Sequence, residues 1–168
     1  MFYNYIFLLF ISIVLNAKEP TMVILKNVYS NDIQQFTYKN YTFTCRPYGI
    51  VSLEDIYKNP DISNICKKKV EEFYIKNPML KHFSAGILKI FQMYHIDVKD
   101  KKCIIYAKGM KTLSELLIEK GLAVKYPYLK DEIFKYKFDT AQKGALYHKR
   151  GLFKDPVLKN CMIFYKVN

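Results

Sequence analysis

The chain has 168 residues, 51% of them apolar, which suits one domain with a real hydrophobic core. The formal charge is +12, but the 27 basic residues include only two arginines, Arg46 and Arg150, so the charge is a diffuse lysine background that by itself identifies no anionic partner. Three scattered histidines (His82, His95, His148) and four cysteines without a C-x-x-C pair argue against a zinc site.

Residues 1–17, MFYNYIFLLFISIVLNA, carry no charged side chain and hold an apolar run from Ile6 to Leu15, ended by the small Ala17. This is the pattern of a secretory signal peptide. The run is short for a membrane span of about 20 residues, and no cysteine follows it as a lipid-attachment point. The mature chain is therefore expected to be periplasmic or secreted, and not an integral membrane protein. In that setting Cys45, Cys66, Cys103 and Cys161 are free to form disulfides.

From Thr21 to Tyr48 the stretches TMVILKNVYS, IQQFTY and YTFTCR read as a three-strand meander turning at SND and KN. A helix is expected near Ser63–Lys76, with Ile62, Ile65, Cys66, Val70, Phe73 and Tyr74 on one face, and Asn77-Pro78 stops it. ILKIFQMYHIDV and KCIIYAKG read as two further strands joined by a charged turn at Lys99–Lys102. Thr112–Lys120 is a helix ended by Gly121. Asp131–Arg150 is a longer one, with Ile133, Phe134, Phe138, Ala141 and Ala145 mostly inward and Gly151 as its stop. The spacing gives a signal segment (1–17), a domain (18–153) and a tail (154–168) ending in the apolar run CMIFYKV, packed on or near the domain. Five strands with a helix between the third and fourth are the plan of an OB-type barrel. The expected fold is α+β: a five-stranded OB-fold-type barrel with three helices.

Four motifs on these elements resemble the staphylococcal nuclease-like (thermonuclease) family. LSELLIEKGLA (113–123) looks like its "VNxxLVxxGLA" helix, and DTAQKGALYHKRGLF (139–153) looks like its final "AExxAKxxxxGLW" helix, with Phe153 in place of Trp. YSNDIQQF resembles the "DGDT" turn, and RPYGIVSLE resembles "RLxGIDxPE". The resemblance implies a calcium-dependent phosphodiesterase. Attack on a phosphodiester builds negative charge, which arginine forks and a carboxylate-held hard cation stabilise, while a glutamate positions the attacking water. It places Asp32 at the first metal-binding aspartate, Arg46 at the first phosphate-binding arginine and Glu54 at the water-activating glutamate. Apart from the resemblance, Asp32 can simply cap a turn, and Glu54 can be a loop or helix N-terminal charge.

Elsewhere the pattern breaks. Val51 stands at the second metal-binding aspartate and supplies no side-chain oxygen. Leu53 replaces the loop proline. Where the family has a second arginine in a pattern like "DKYGR", this chain reads DVKDKK, with Lys101 and Lys102 as the nearest cations and Lys101 as the stand-in. A lysine cannot make the planar two-pronged contact, and losing such a donor costs on the order of 3 kcal/mol of barrier. The expectation is an exported nuclease-like protein with an impaired calcium and catalytic site. It would act as a binding or scaffold module with protein partners in the bacterial cell envelope, such as a secretion or motility machine. Its new contact surfaces would be the insertion at Pro78–Gly86 and the tail after Phe153. Nucleic-acid binding would be weak, and no cofactor is expected beyond calcium if the site is active. The alternative is a secreted calcium-dependent phosphodiesterase cleaving DNA or RNA. In a barrel of this type Cys45 and Cys103 lie on neighbouring strands and can pair, leaving Cys66 and Cys161 to pair if the tail folds over the first helix; otherwise the cysteines stay as buried thiols.

Overall fold

The computed structural model describes residues 20–164; the expected signal segment, residues 1–17, lies outside the described residues, as do the last four. The meander is present as β1 (Thr21–Ser30), β2 (Ile33–Tyr38) and β3 (Tyr41–Cys45). Alternation does the folding here: Val23 and Leu25 of β1, Gln34 and Phe36 of β2 and Cys45 of β3 are buried, while Met22 and Ile24 face out and Gln35 and Thr37 are only half-buried. A short strand β4 (Ile50–Ser52) leads into α1 (Leu53–Lys58), which is followed by α2 (Asn64–Lys76), α3 (Pro78–Lys81) and α4 (Phe83–Ile87). Then come β5 (Met93–Lys99), β6 (Lys102–Lys108), β7 (Lys111–Thr112), α5 (Leu113–Glu119), β8 (Ala123–Lys125), α6 (Glu132–Tyr147) and, after a 3-10 turn at Gly151–Lys154, α7 (Pro156–Phe164).

The architecture is α+β: a six-stranded antiparallel sheet in the order β3-β2-β1-β5-β6-β7, a two-stranded β4-β8 pair, and helices. The sheet curls until its two ends meet at Cys103. The chain leaving β3 lies parallel to β6 there, with Cys103 N–H donating to Arg46 O (2.7 Å) and Tyr48 N–H to Cys103 O (2.9 Å). A Cys45–Cys103 disulfide crosses the same seam, with Cα atoms 5.7 Å apart. The seam is one bridge long, so the expected continuous five-stranded barrel is not formed. Its reach is limited on both sides by left-handed backbone: Asp100 and Lys101 turn (φ 51° and 59°) just before β6, and Gly49 (φ 72°) turns the other chain away.

The core sits between the curled sheet and α5, whose residues Leu113–Ile118 are all buried. A capping box at Thr112 and Glu115 accounts for two of its polar groups, and Ser114 Oγ donates to Tyr48 O (2.7 Å). Phe138, Ala141 and Ala145 form the inward face of α6; Ile133, expected on that face, is 70% exposed. The stretch read as the fourth strand from Ile87 becomes extended only at Met93, because Ile87 ends α4 and Phe91 (φ 64°) reverses the chain. Gly121 and Gly151 close the helical half. Both have positive φ, and a Cβ on Gly121 would strike the Arg150 carbonyl, while one on Gly151 would strike the Gly121 carbonyl. This close approach lets Leu152 N–H donate to Gly121 O (2.9 Å), docking the GLA and GLF motifs on each other.

The tail is helical, with Leu158, Cys161 and Met162 buried. A Cys66–Cys161 disulfide fastens it to α2, with Cα atoms 5.8 Å apart. The two disulfides close loops of 58 and 95 residues. Unfolded, non-reduced protein should therefore show no titratable thiols. The Cys66→Ser, Cys161→Ser pair should lose about 2–5 kcal/mol in urea unfolding. Gly121→Ala should lose more than about 1 kcal/mol through its backbone conformation alone, with the clash adding to that.

Candidate functional site

The turn Ser30-Asn31-Asp32 between β1 and β2 points inward, with Asn31 0% and Asp32 2% exposed. A buried carboxylate needs donors and positive charge, and Asp32 has both. Ser30 Oγ donates to Oδ1 (2.5 Å). Lys58 Nζ, from the end of α1, lies 3.3 and 3.2 Å from the two oxygens. Arg46 Nη2, from the seam after β3, lies 3.5 Å from Oδ2. The other arm of Arg46 bonds Asp55 Oδ1 (3.2 Å), and Asp55 in turn caps the start of α1 through Ser52.

Glu54 sits in the first turn of α1, beside this cluster but turned to different partners. Its Oε1 accepts from Asn31 Nδ2 (3.0 Å) and Tyr74 Oη (2.9 Å). Its Oε2 is buried without a hydrogen-bond partner. Burial pushes the Glu54 carboxyl above the usual carboxylate range, the nearby Asp32 charge adds to this, and the donated hydrogen bonds oppose it. Burial and the Glu54 charge also push the Tyr74 phenol well up, so it acts as a hydrogen-bond donor.

Asp32, Arg46 and Glu54, the residues singled out in the sequence, are thus neighbours. Lys101 shares a small cavity of about 250 Å³ with Arg46, Ile33, Thr44 and Cys45. Lys102 points elsewhere, its ammonium 5.8 Å from the Tyr126 ring centre, in a cleft of about 540 Å³ also lined by Tyr48, Lys99, Tyr128 and Lys130. Val51 is 3% exposed within the hydrophobic core, paired across the two-stranded sheet with Val124. Lys58, Asn31 and Tyr74 were not singled out in the sequence. Lys58 did carry a signal: it lies four residues after Glu54 and three after Asp55, so one helical turn puts it on the same face. Asn31 looked like an ordinary turn residue, and Tyr74 like part of a packing face.

Calcium takes six to eight oxygen ligands. Asp32 is held by Ser30, Lys58 and Arg46, Val51 offers no oxygen, and Glu54 Oε1 accepts from Asn31 and Tyr74. Among the described residues, no group of three or more His, Cys, Asp or Glu side chains could hold a metal ion. The residues present do not fit calcium. No known protein-family model matches the chain, and no curated protein matches it either.

The unusual group is Glu54, and its titration is measurable. Carboxyl-detected NMR should place its midpoint above the ordinary glutamate value. Tyr74→Phe should raise it further, because the lost hydroxyl donor favoured the ionised form. The sign for stability follows: the contribution of neutral Glu54 is complete below the unfolded value of about 4.3 and is lost as pH rises through the raised folded midpoint. An ordinary midpoint in the wild type would show that the side chain is hydrated.

Proposed function

We propose that this is an exported, nuclease-like domain of the OB-barrel type that binds its partner without calcium-dependent cleavage. One observation carries the reading. The carboxylate at the expected metal position, Asp32, is neutralised by the chain's own cations, Lys58 and Arg46. Two disulfides suit an oxidising compartment, and no described helix is long and apolar enough to cross a membrane. The disulfides support an extracytoplasmic location, and we place the protein in the periplasm or outside the cell.

The binding role fits a protein of the cell envelope, such as a component of a secretion or motility assembly. The insertion expected to make new contacts forms α3 and α4, and exposed Met79 lies on α3. A second candidate contact surface is the cleft of Tyr48, Lys99, Lys102, Tyr126 and Lys130, whose lysine charge is offset in part by Asp100 and by Asp131, paired with Lys99. Nucleic acid would engage such a surface weakly, through lysine charge and counterion release.

A second reading keeps the phosphodiesterase. The convergence of Asp32, Arg46 and Glu54 in one place favours it. Against it stand the engagement of both Arg46 arms by carboxylates, the core position of Val51 and the lack of a second arginine beside Arg46, since Arg150 bonds the Glu119 carbonyl instead. Without forked donors and a cation, the charge developing on phosphorus goes unstabilised.

Protein comprising residues 18–168 should give no calcium-dependent cleavage of DNA or RNA and no calorimetric calcium binding. Oligonucleotide binding, where it occurs, should fall steeply between 50 and 200 mM salt, as counterion release requires. Turnover abolished by chelator and by Glu54→Ala would overturn the binding reading in favour of the enzyme.

A further inference from the structure

The curled sheet leaves the outer side of β3 open. β3 is paired with β2 on one side, and on the other it meets β6 only through the single bridge of the seam. Beyond that bridge the chain of β6 turns away at Asp100 and Lys101, so residues 41–44 have no neighbouring strand on that side. Alternation decides which backbone groups face the gap. Arg46 O points across the seam to Cys103 N–H, and residues two and four back along an extended chain direct their amide and carbonyl the same way. These are Thr44 and Thr42. The two-residue turn at Lys39-Asn40 gives the same assignment: its closing pair, Tyr38 and Tyr41, faces inward, and Phe43 and Cys45 follow Tyr41 onto β2. Among the described residues, no backbone bond outside the β2–β3 ladder reaches Thr42 or Thr44, and both residues are exposed. The usual protections of a sheet edge are missing too. Residues 41–44 include no proline and no charge, and their register with β2 runs without a bulge.

We propose that this edge takes up an extended, acidic segment of a partner protein as an added strand. Thr42 and Thr44 each offer it an amide donor and a carbonyl acceptor, and main-chain pairing of this kind needs no deep pocket. The charges at the two ends set the partner's chemistry. Lys39 lies in the turn at one end. Lys101 lies beside Thr44 at the other, in the small cavity that it shares with Arg46. Both Arg46 arms are held by Asp32 and Asp55, whereas Lys101 has no ion-pair partner among the described residues. A segment with carboxylates flanking a β-branched centre meets both lysines and suits a pleated edge. A second copy of this chain fits less well. Antiparallel pairing of two β3 strands about Phe43 sets Lys39 of each near Arg46 of the other, and each copy carries a formal charge of +12. The edge is separate from α3, α4 and the cleft of Lys102, and its pairing does not rest on either reading of the Asp32 site.

The probe is the blocked peptide acetyl-Glu-Val-Thr-Val-Thr-Glu-amide, titrated into protein comprising residues 18–168 with its disulfides intact. One control peptide carries lysines for the glutamates. Another is N-methylated at its central residues, so it cannot donate from either edge. Amide hydrogen exchange followed by NMR reports the location, and chemical-shift titration the affinity. In the free protein the Thr42 and Thr44 amides should exchange fast and the Phe43 amide slowly. The glutamate peptide should slow both threonine amides and bind at least about fivefold more tightly than the lysine peptide. The N-methylated peptide should not bind. Thr42→Pro removes an outward donor while sparing the ladder to β2, and should abolish binding, with its fold checked by circular dichroism. Lys101→Glu should weaken the glutamate peptide and strengthen the lysine one, and decides the matter should Thr42→Pro fail to fold. Absence of saturable binding overturns the proposal. So do threonine amides already protected in the free protein, N-methylated peptide binding as tightly as the parent, or a dimer in sedimentation that Thr42→Pro dissociates.

Discussion

A turn that goes inward must bring its partners with it, and the Ser30-Asn31-Asp32 turn organises much of this molecule. Most turns face water because their polar groups cannot be satisfied inside. Here Asn31 and Asp32 are both buried. Asn31 draws in the helices of the insertion: its side chain donates to Leu80 O (2.9 Å) and accepts from Ser84 N–H (2.9 Å), while its backbone carbonyl accepts from Ser84 Oγ (3.1 Å). Gln34, itself buried, donates to the carbonyls of Ser30 and Asn31. Asp32 draws in Lys58 from α1 and Arg46 from the seam. Elements distant in sequence are thus fixed around one turn by polar bonds that have no solvent alternative.

That arrangement explains why some features were legible in the sequence and others were not. The helices read from Ser63, Thr112 and Asp131 all form, and each of these three residues accepts from the first turn of the helix that follows. Helices α1, α3 and α4 are too short for a 3.6-residue period to show. The tail carried a readable start that apolar content obscured: Asp155 accepts from Val157 and Leu158 N–H, with Pro156 at the first helical position. Ile133 misled because hydrophobicity is a one-way guide to burial; the helix face is set by Phe138, Ala141 and Ala145. The barrel plan captured the strand order of the meander but not the one-bridge seam, since the left-handed turns at Gly49 and Asp100–Lys101 depend on tertiary context.

At the site, the motif residues were legible because each is chemically distinctive. Asp32, Arg46 and Glu54 lie close together, as the resemblance implied. Their bonds were not legible, because they depend on side chains that pattern reading assigns to turns and packing faces. Tyr74 is the clearest instance. It lies at a helical position suited to core packing, yet its hydroxyl is a main partner of Glu54.

The neighbouring carboxylates of Asp32 and Glu54 have been given opposite environments. Asp32 receives cations from two elements, while Glu54 receives neutral donors and desolvation, so its charge is held back and one oxygen is left without a partner. Breaking a buried ion pair by removing one partner is more costly than never forming it, so Lys58 and Arg46 are now structural requirements of the Asp32 turn as well as charges near a cleft. For the same reason, calcium chemistry is not one substitution away. An added carboxylate at Val51 would sit in the hydrophobic core against Val124, and a cation arriving at Asp32 would have to displace an ammonium already tethered 3.2 Å from it. The misfit to a metal ion is built into the packing around Asp32.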